Sequence, residues 1–235
     1  MNYLIPPLAG FLGGVLGPLI GVGGGVIIVP LLNLSGFSFQ ASVAASLFSI
    51  VITSLVSVLT RGGTVLRYAR YAAAPAAAAV LASILSVKYG GPIVERLYGI
   101  YLLSIAALMY LSPRAARPKP LLGGLLIVLG GLASAAFGIG GGTIYMPALT
   151  MLMGLEAREA TAVSMALILP TTTAGVISYA AQGVLVWPLA VLVAVFSALG
   201  SFLTNKYIVK KLKSKYIYVI FILYSIATGI YYLIK

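Results

Sequence analysis

The sequence contains no cysteine, no histidine and no aspartate, and its acidic residues are Glu95, Glu156 and Glu159 alone. Structural zinc sites are built from cysteine and histidine, nucleophilic triads need a general base, and paired-carboxylate catalysis needs two acids close together. Glu156 and Glu159 are neighbours, but their polar stretch beside Arg158 is typical of a solvated charge cluster. We therefore predict a protein that is not an enzyme, with no catalytic residue, no metal site and no cofactor.

Charged residues are scarce as a class. They make up 8% of the 235 residues, whereas 61% are hydrophobic. A soluble domain carries about a quarter charged residues because water must solvate its surface, so we predict a multi-pass protein of the cell membrane. The net charge of +12 does not indicate a nucleic-acid partner, because Lys and Arg lie almost entirely in short stretches between apolar runs, as in membrane proteins.

Long apolar runs divide the chain, and a helix needs roughly 20 apolar residues to cross a bilayer. Six runs have the length of one span, whereas the first and the fifth are longer and are interrupted by glycine. The fold class is therefore predicted to be an all-α polytopic membrane protein. The runs are 4–34, 42–60, 68–87, 93–111, 121–153, 161–181, 186–204 and 216–234.

The two long runs share one motif. Gly-Val-Gly-Gly-Gly-Val-Ile-Ile-Val-Pro at 21–30 matches Gly-Ile-Gly-Gly-Gly-Thr-Ile-Tyr-Met-Pro at 138–147, an offset of 117 residues. The next helix repeats as well, because Ala-Ala-Ser-Leu at 44–47 aligns with Ala-Val-Ser-Met at 162–165. Two copies with the same spacing indicate a duplication. The predicted units are a first repeat over 1–111, a basic linker over 112–120 and a second repeat over 121–235.

The basic residues bear on the orientation of the halves. If each long run crossed the membrane once, the two halves would be parallel, and Lys and Arg would be divided evenly between the sides. If each long run is a glycine-broken hairpin that enters and leaves on one side, twelve of the 15 basic residues share a side, as the positive-inside rule requires. We favour this second model. It predicts two inverted repeats, each a broken hairpin followed by three transmembrane helices, with cytoplasmic basic loops and external termini.

The triple glycines are predicted to break the long runs at mid-membrane, where inverted-repeat transporters bind substrate. A helix that starts at about Val26 or Thr143 exposes first-turn N–H groups and a partial positive charge. Two such starts that meet would form an anion site without a charged side chain. Close packing of helices through small residues is the alternative interpretation. It fits better the outer positions, which are spaced by four residues, namely Gly13, Gly17 and Gly21 in the first run and Gly130, Ser134 and Gly138 in the second. The candidate substrate-binding residues at the breaks are Gly21, Gly23, Gly24, Gly25, Val26, Gly138, Gly140, Gly141, Gly142 and Thr143.

The helices after the breaks carry hydroxyl groups along one face. In the first half Ser or Thr occurs at 42, 46, 49, 53 and 57, which are steps of three and four residues. Neutral hydroxyl donors suit a dehydrated anion, and hydrogen bonding between helices is the alternative interpretation. Ser46 and Ser164 are the strongest candidates because they recur between the halves. The candidate substrate-binding hydroxyls are Ser46, Ser49, Thr53, Ser164, Thr171 and Thr172.

Aromatic residues near the ends of the runs are predicted to form an interfacial belt. Membrane lipids are the expected partners of this belt and of the lysines between 206 and 215. The lipid-facing helices are compatible with a homodimer, but no sequence feature identifies its face. The predicted belt residues are Tyr68, Tyr71, Tyr89, Tyr98, Tyr110, Trp187, Tyr216, Tyr218, Tyr231 and Tyr232.

The doubled Gly-x-Gly-Gly-Gly motif with its following proline, the Ala-x-Ser-Leu/Met segment and the two-half layout resemble the TauE/SafE family of sulfite exporters over nearly the whole chain. The resemblance implies transport, usually outward, of a small anion such as sulfite, thiosulfate, sulfoacetate or a related organosulfonate. A passive anion channel or uniporter is the alternative, and an intramembrane enzyme or a scaffold subunit fits less well. The matching positions are Gly21, Gly23, Gly24, Gly25, Pro30, Ser46, Gly138, Gly140, Gly141, Gly142, Pro147 and Ser164.

Overall fold

In the computed structural model of the chain, residues 4–20, 23–61, 68, 71–111, 119–208 and 214–234 are described, and they are helical with short connections. Two π-helical turns, Ala148–Leu152 and Thr204–Ile208, directly follow α7 and α9. The helices are α1 (Ile5–Ile20), α2 (Gly25–Leu34), α3 (Phe39–Arg61), α4 (Ala73–Lys88), α5 (Pro92–Leu111), α6 (Pro120–Phe137), α7 (Gly142–Pro147), α8 (Ala157–Ala181), α9 (Trp187–Leu203) and α10 (Ser214–Ile234).

The predicted all-α fold is confirmed, and the long helices have the composition of membrane spans. Four segments in the described part of the chain are long and apolar enough to cross a bilayer, namely Phe39–Leu59, Pro120–Phe137, Glu159–Ala181 and Trp187–Tyr207. Shorter apolar helices include Ile5–Leu19, Gly25–Leu34, Ala73–Lys88 and Ile222–Ile234. The predicted runs differ from the helices mainly at their ends, since α4 begins at Ala73 rather than at 68 and α8 begins at Ala157 rather than at 161.

Each of the two long runs folds back on itself. A Cβ atom added to Gly13 of α1 would lie 2.6 Å from Cδ1 of Ile28 of α2, so α2 runs back alongside α1. In the second copy a Cβ atom on Gly130 would lie 2.5 Å from Cε1 of Tyr145. The backbone N–H of Lys119, just before α6, donates a hydrogen bond of 2.6 Å to the carbonyl of Leu152 at the far end of the same run. The start and the end of the second run therefore lie side by side.

The halves interlock through their fourth helices. Helix α9 of the second half packs on α1 and α3 of the first half, and α4 of the first half packs on α6 and α8 of the second. The remaining large contacts, α3 with α8 and α5 with α10, join equivalent helices of the two halves. The pattern is unchanged when the halves are exchanged, as a duplication requires. The opposite orientation of the halves in a membrane stays a prediction.

Glycine lets the interlocked helices touch along their backbones. A Cβ atom on Gly14 of α1 would lie 2.1 Å from the carbonyl oxygen of Ser197 of α9, far inside van der Waals contact. Its counterpart Gly131 of α6 would place a Cβ atom 2.2 Å from the carbonyl oxygen of Pro75 of α4. Small residues of this kind replace hydrophobic collapse as the means of association in lipid, because tight packing supplies the attraction there.

The predicted aromatic belt is wrong for two of its members. Tyr98 and Tyr232 have no exposed surface, because they pack edge-on against each other at 5.1 Å and against Phe39. The belt residues that the structure leaves exposed are Tyr71, Tyr89, Tyr110, Trp187 and Tyr231. Tyr68 is partly buried, and the side chains of Tyr216 and Tyr218 lie outside the described part of the chain.

Candidate functional site

Both glycine breaks adopt the same backbone conformation. Gly24, with φ of 80°, precedes α2, and Gly141, with φ of 76°, precedes α7; both are in the left-handed region. Glycine is favoured there because a side chain would strain the backbone. The short helices start at Gly25 and Gly142, one residue earlier than predicted. Gly21 lies outside the described residues.

The two breaks lie against each other although they are more than 100 residues apart in sequence. A Cβ atom on Gly25 would lie 2.0 Å from the carbonyl oxygen of Gly138. The hydroxyl of Ser46 donates a hydrogen bond of 2.6 Å to that same carbonyl. Between the breaks, Cγ2 of Ile50 is within 3.2 Å of a Cβ position on Gly23 and within 3.1 Å of one on Gly140. The predicted candidates at the breaks are therefore brought together, and those that the structure describes are buried.

The starts of the two short helices carry uncapped N–H groups. Neither start has a side-chain cap. The carbonyl of Gly24 accepts from the N–H groups of Ile27 and Ile28, so the two residues before them have no intrahelical acceptor for their own N–H groups. In the same way, the carbonyl of Gly141 accepts hydrogen bonds from the N–H groups of Ile144 and Tyr145. The positive potential at the breaks therefore comes from peptide dipoles.

The polar groups around the breaks are uncharged. The buried polar side chains of the described residues, tyrosines apart, are Ser and Thr hydroxyls, without a Lys, Arg or Glu among them. Ser164 is one of these, fully buried on α8 at the position equivalent to Ser46. No group of three or more carboxylates, histidines or cysteines that would suit a metal ion occurs in the described part of the chain.

Most of the predicted hydroxyls are hydrogen-bonded to their own helix. On α3, Ser49 donates to the carbonyl of Ser46 at 2.8 Å, and Thr53 donates to the carbonyl of Ile50 at 3.1 Å. On α8, the hydroxyls of Thr171 and Thr172 donate to the carbonyls of Leu167 and Ile168, both at 2.8 Å. Each of these hydroxyls has one proton, and it is used within the helix. Ser46 differs, because its proton bridges from α3 to the other break.

The prolines of the motif also have a structural explanation. Pro30 lies inside α2 and has no N–H group for the carbonyl of Val26, four residues earlier. The phenol of Tyr98 on α5 donates to that carbonyl at 3.4 Å. Pro147 ends α7, and the π-helical turn Ala148–Leu152 follows it. Proline thus removes one backbone bond at each short helix, and in the first half a tyrosine supplies the replacement.

Two tyrosines of α5 reach the breaks, and the sequence did not indicate these contacts. Tyr98 reaches Val26 of the first break, and Tyr101 is hydrogen-bonded to the hydroxyl of Thr143 at the second. Their spacing of three residues places them on one helical face. The available signal was two tyrosines on one face of an apolar run, but that pattern also fits an interfacial aromatic residue.

The chain is similar to two curated proteins. It is 29% identical to a probable membrane transporter protein of Methanocaldococcus jannaschii over 199 residues. The aligned region covers 73% of this chain and 70% of the relative. It is 26% identical over 230 residues to a probable membrane transporter protein of Bacillus subtilis, which covers 80% of this chain and 81% of that relative. No solved structure matches the chain significantly.

The family model described as the sulfite exporter TauE/SafE matches residues 7–232. This match confirms the resemblance that the doubled glycine motif carries. Because the relatives are named as membrane transporters, the prediction that the chain is not an enzyme is also confirmed. The protein belongs to the sulfite exporter TauE/SafE family and is a membrane transporter.

Proposed function

We propose that this transporter exports a small anion such as sulfite, thiosulfate or an organosulfonate, and that it binds the anion at mid-membrane between the two glycine breaks. One observation supports the proposal above the others. The start of α2 at Gly25 lies against Gly138 and Ile139, just before the start of α7 at Gly142, in an interior where the described polar side chains are neutral. The proposed substrate-binding residues are Gly21, Gly23, Gly24, Gly25, Val26, Ser46, Ser49, Thr53, Gly138, Gly140, Gly141, Gly142, Thr143, Ser164, Thr171 and Thr172.

Neutral donors are suited to a substrate that must leave again. A dehydrated anion needs hydrogen bonds, because burying an unpaired charge costs many kcal/mol. Uncapped N–H groups at a helix start supply such bonds together with the positive end of the helix dipole. A buried Lys or Arg would hold the anion by a full charge and retard its release. In this proposal α2, with ten residues, and the shorter α7, extended by its π-helical turn, both direct N–H groups toward the substrate.

Transport further requires that the site open to each side in turn. The described residues of the site are buried, so a substrate reaches them only when helices move. Because α4 and α9 each pack on the opposite half, we propose that each moves with the half on which it packs when the halves rock against each other, and that the two breaks stay in contact. This is the usual plan of transporters with internal repeats.

The test is the thermal stabilisation of the detergent-purified protein by sulfite, thiosulfate, sulfate, sulfoacetate, acetate and chloride at equal ionic strength. An anion that binds the native state raises Tm in proportion to RT ln(1 + [L]/Kd). We expect a sulfur oxyanion or sulfonate to raise Tm more than chloride does. The best stabiliser then serves as the tracer for flux into proteoliposomes, where saturable counterflow is the expected result.

A passive channel is the competing function, and measurements on the same purified protein distinguish a channel from a carrier. Equal stabilisation by chloride and by every other anion would contradict a selective site. Large unitary currents in planar bilayers, without counterflow, would identify a channel or uniporter instead of a carrier.

A further inference from the structure

Helix α5 crosses both breaks and contacts equivalent residues in them. Val26 and Thr143 are the second residues of α2 and α7 and are related by the 117-residue offset of the repeat. Tyr98 contacts Val26, and Tyr101 contacts Thr143. One helix thus places a phenol at each break. The first phenol contacts a backbone carbonyl and the second contacts a side-chain hydroxyl.

At the first break every hydroxyl proton has an acceptor. Tyr98 donates to the Val26 carbonyl, which Pro30 leaves without an intrahelical partner. Val26 itself has an apolar side chain and adds no donor. The phenol of Tyr98 therefore completes the backbone of α2, which is a structural task.

At the second break one hydroxyl proton is left over. The hydroxyls of Tyr101 and Thr143 are hydrogen-bonded to each other, and either oxygen is able to act as the donor. Two hydroxyls carry two protons, and a bond between them uses one. Among the described residues, neither hydroxyl has a further acceptor that would take the second proton. Thr143 is only 3% exposed and Tyr101 is partly buried, so the pair is largely shielded from water that would take this proton.

A buried donor without an acceptor is costly, and the cost is relieved when a ligand supplies an oxygen atom. The other hydroxyls of the candidate set provide the contrast, because Ser49, Thr53 and Thr171 all donate to carbonyls of their own helix. We propose that Tyr101 and Thr143 form a hydroxyl pair that binds an oxygen of the transported anion at the second break. The inference rests on the proposed function and adds Tyr101 as a substrate-binding residue.

The pair also makes the two halves unequal as ligand sites. The first break offers an apolar Val26 side chain where the second offers the Thr143 hydroxyl and the Tyr101 phenol. An anion held between the breaks is therefore oriented, with its hydrogen-bonding oxygen toward α7. Orientation of this kind selects among anions by the number and the placement of their oxygen atoms.

The experiment compares Tyr101→Phe with Tyr98→Phe, which remove the same atom one helical turn apart. For each full-length purified variant, Kd for sulfite, thiosulfate and sulfoacetate is obtained from the dependence of Tm on anion concentration, with chloride held at equal ionic strength. Tyr101→Phe is expected to raise Kd for the preferred anion about 10- to 100-fold, the loss typical of a hydrogen bond to a charged group. Tyr98→Phe is expected to lower Tm in chloride and to leave Kd within about 2-fold of the wild-type value, since Kd does not depend on the Val26 bond.

Thr143 supplies a second pair of variants in case Tyr101→Phe alters folding. Thr143→Val removes the hydroxyl and is expected to raise Kd like Tyr101→Phe, whereas Thr143→Ser keeps the hydroxyl and is expected to raise Kd much less than Thr143→Val does. Wild-type Kd in both Tyr101→Phe and Thr143→Val would overturn this inference and leave the proposed function intact. Equal losses of affinity in Tyr98→Phe and Tyr101→Phe would also overturn it, because both phenols would then act on structure. If no anion shifts Tm of the wild-type protein above chloride, the proposed function falls and this inference with it.

Discussion

Individual hydroxyl groups in this protein have different roles although they look alike in the sequence. Ser46 and Ser49 lie on α3, three residues apart, and both are fully buried. The proton of Ser46 bridges to Gly138 in the other half, whereas that of Ser49 stays on the carbonyl of Ser46. A hydroxyl that bonds back to its own helix contributes little to stability, so the two serines are a natural pair for comparison.

Replacing Ser46 with Ala is expected to destabilise the protein by about 1–2 kcal/mol, because the Gly138 carbonyl loses a buried donor. For a chain of this length each kcal/mol lowers Tm by about 2–4 °C. Ser49→Ala is the matched control and is expected to change Tm by less than about 2 °C, as a substitution with little energetic effect does. Thermal unfolding of the two variants in one detergent is the measurement, and equal Tm values would contradict the contact between the breaks.

The glycines at the N-caps of α2 and α7 are expected to be required for anion transport. A Cβ atom on Gly24 would meet the carbonyl oxygen of Gly13 at 2.2 Å, and one on Gly141 would meet the carbonyl oxygen of Gly130 at 2.7 Å. Gly24→Leu and Gly141→Leu are therefore expected to lower anion flux more than about tenfold, which corresponds to 1.4 kcal/mol or more, while the protein still inserts. Flux is measured in proteoliposomes that contain equal amounts of protein.

Gly36 is the control for backbone strain, since its φ is 91° and nothing lies within 4 Å of its Cβ position. Gly36→Leu carries the strain of a left-handed residue, about 1–3 kcal/mol, without a clash. It is expected to retain flux. Wild-type flux in both Gly24→Leu and Gly141→Leu would exclude the breaks as the transport site.

At the scale of helices, packing depends on how closely the backbones of two neighbouring helices approach. The outer glycines were interpreted as packing residues from their spacing, and the structure shows Gly13 and Gly130 facing the short helices of their own hairpins. Gly14 and Gly131 instead face α9 and α4 of the opposite half. On α1 and on α6, two adjacent glycines therefore pack on different neighbours: one on the short helix of the same hairpin and the other on a helix of the opposite half.

Two glycines of α6 allow a test of the packing between α6 and α4. Gly131→Ala places a Cβ atom 2.2 Å from the Pro75 carbonyl oxygen of α4, and overpacking of this kind costs about 1–3 kcal/mol. Gly124→Ala, two turns earlier on α6, meets nothing within 4 Å and is expected to gain about 0.5–1 kcal/mol of helix stability. The two variants should therefore shift Tm in opposite directions. Unchanged Tm in Gly131→Ala would show that α4 and α6 are not in backbone contact.

At the scale of the whole molecule, hairpin geometry and charge point to the same arrangement. The Lys119–Leu152 hydrogen bond joins the two ends of the second long run. If a run whose ends meet enters and leaves on one side of the membrane, each half contributes three crossing helices. An odd number of crossings inverts the second half relative to the first, as the distribution of basic residues also predicts.

The absence of native cysteine makes this arrangement simple to test. Lys119→Cys, Glu156→Cys, Lys88→Cys and Ala181→Cys each introduce a single thiol at an exposed position. With inverted halves, Lys119→Cys and Glu156→Cys are labelled from the cytoplasm by a membrane-impermeant maleimide, and the other two from outside. Parallel halves would instead place Glu156 on the same side as Lys88, so the side on which Glu156→Cys is labelled decides between the two topologies.

The residues alone were enough to predict a membrane protein, an all-α fold and a duplication. These properties depend on consecutive residues: the scarcity of charge, apolar runs long enough to span a bilayer, and a ten-residue motif repeated at a fixed offset. Its weakest predictions concerned burial, since Tyr98 and Tyr232 were assigned to the membrane interface and are fully buried.

Contacts between distant residues became apparent only from the packed helices. Ser46 and Gly138 are 92 residues apart, and α9 packs on the opposite half. In a soluble protein the alternation of polar and apolar residues separates the buried face of a helix from the exposed face. Lipid is as apolar as a protein core, so a lipid-facing leucine and a buried one look the same in the sequence. The contacts of Tyr98 and Tyr101 with the two breaks therefore become visible only when the helices are packed together.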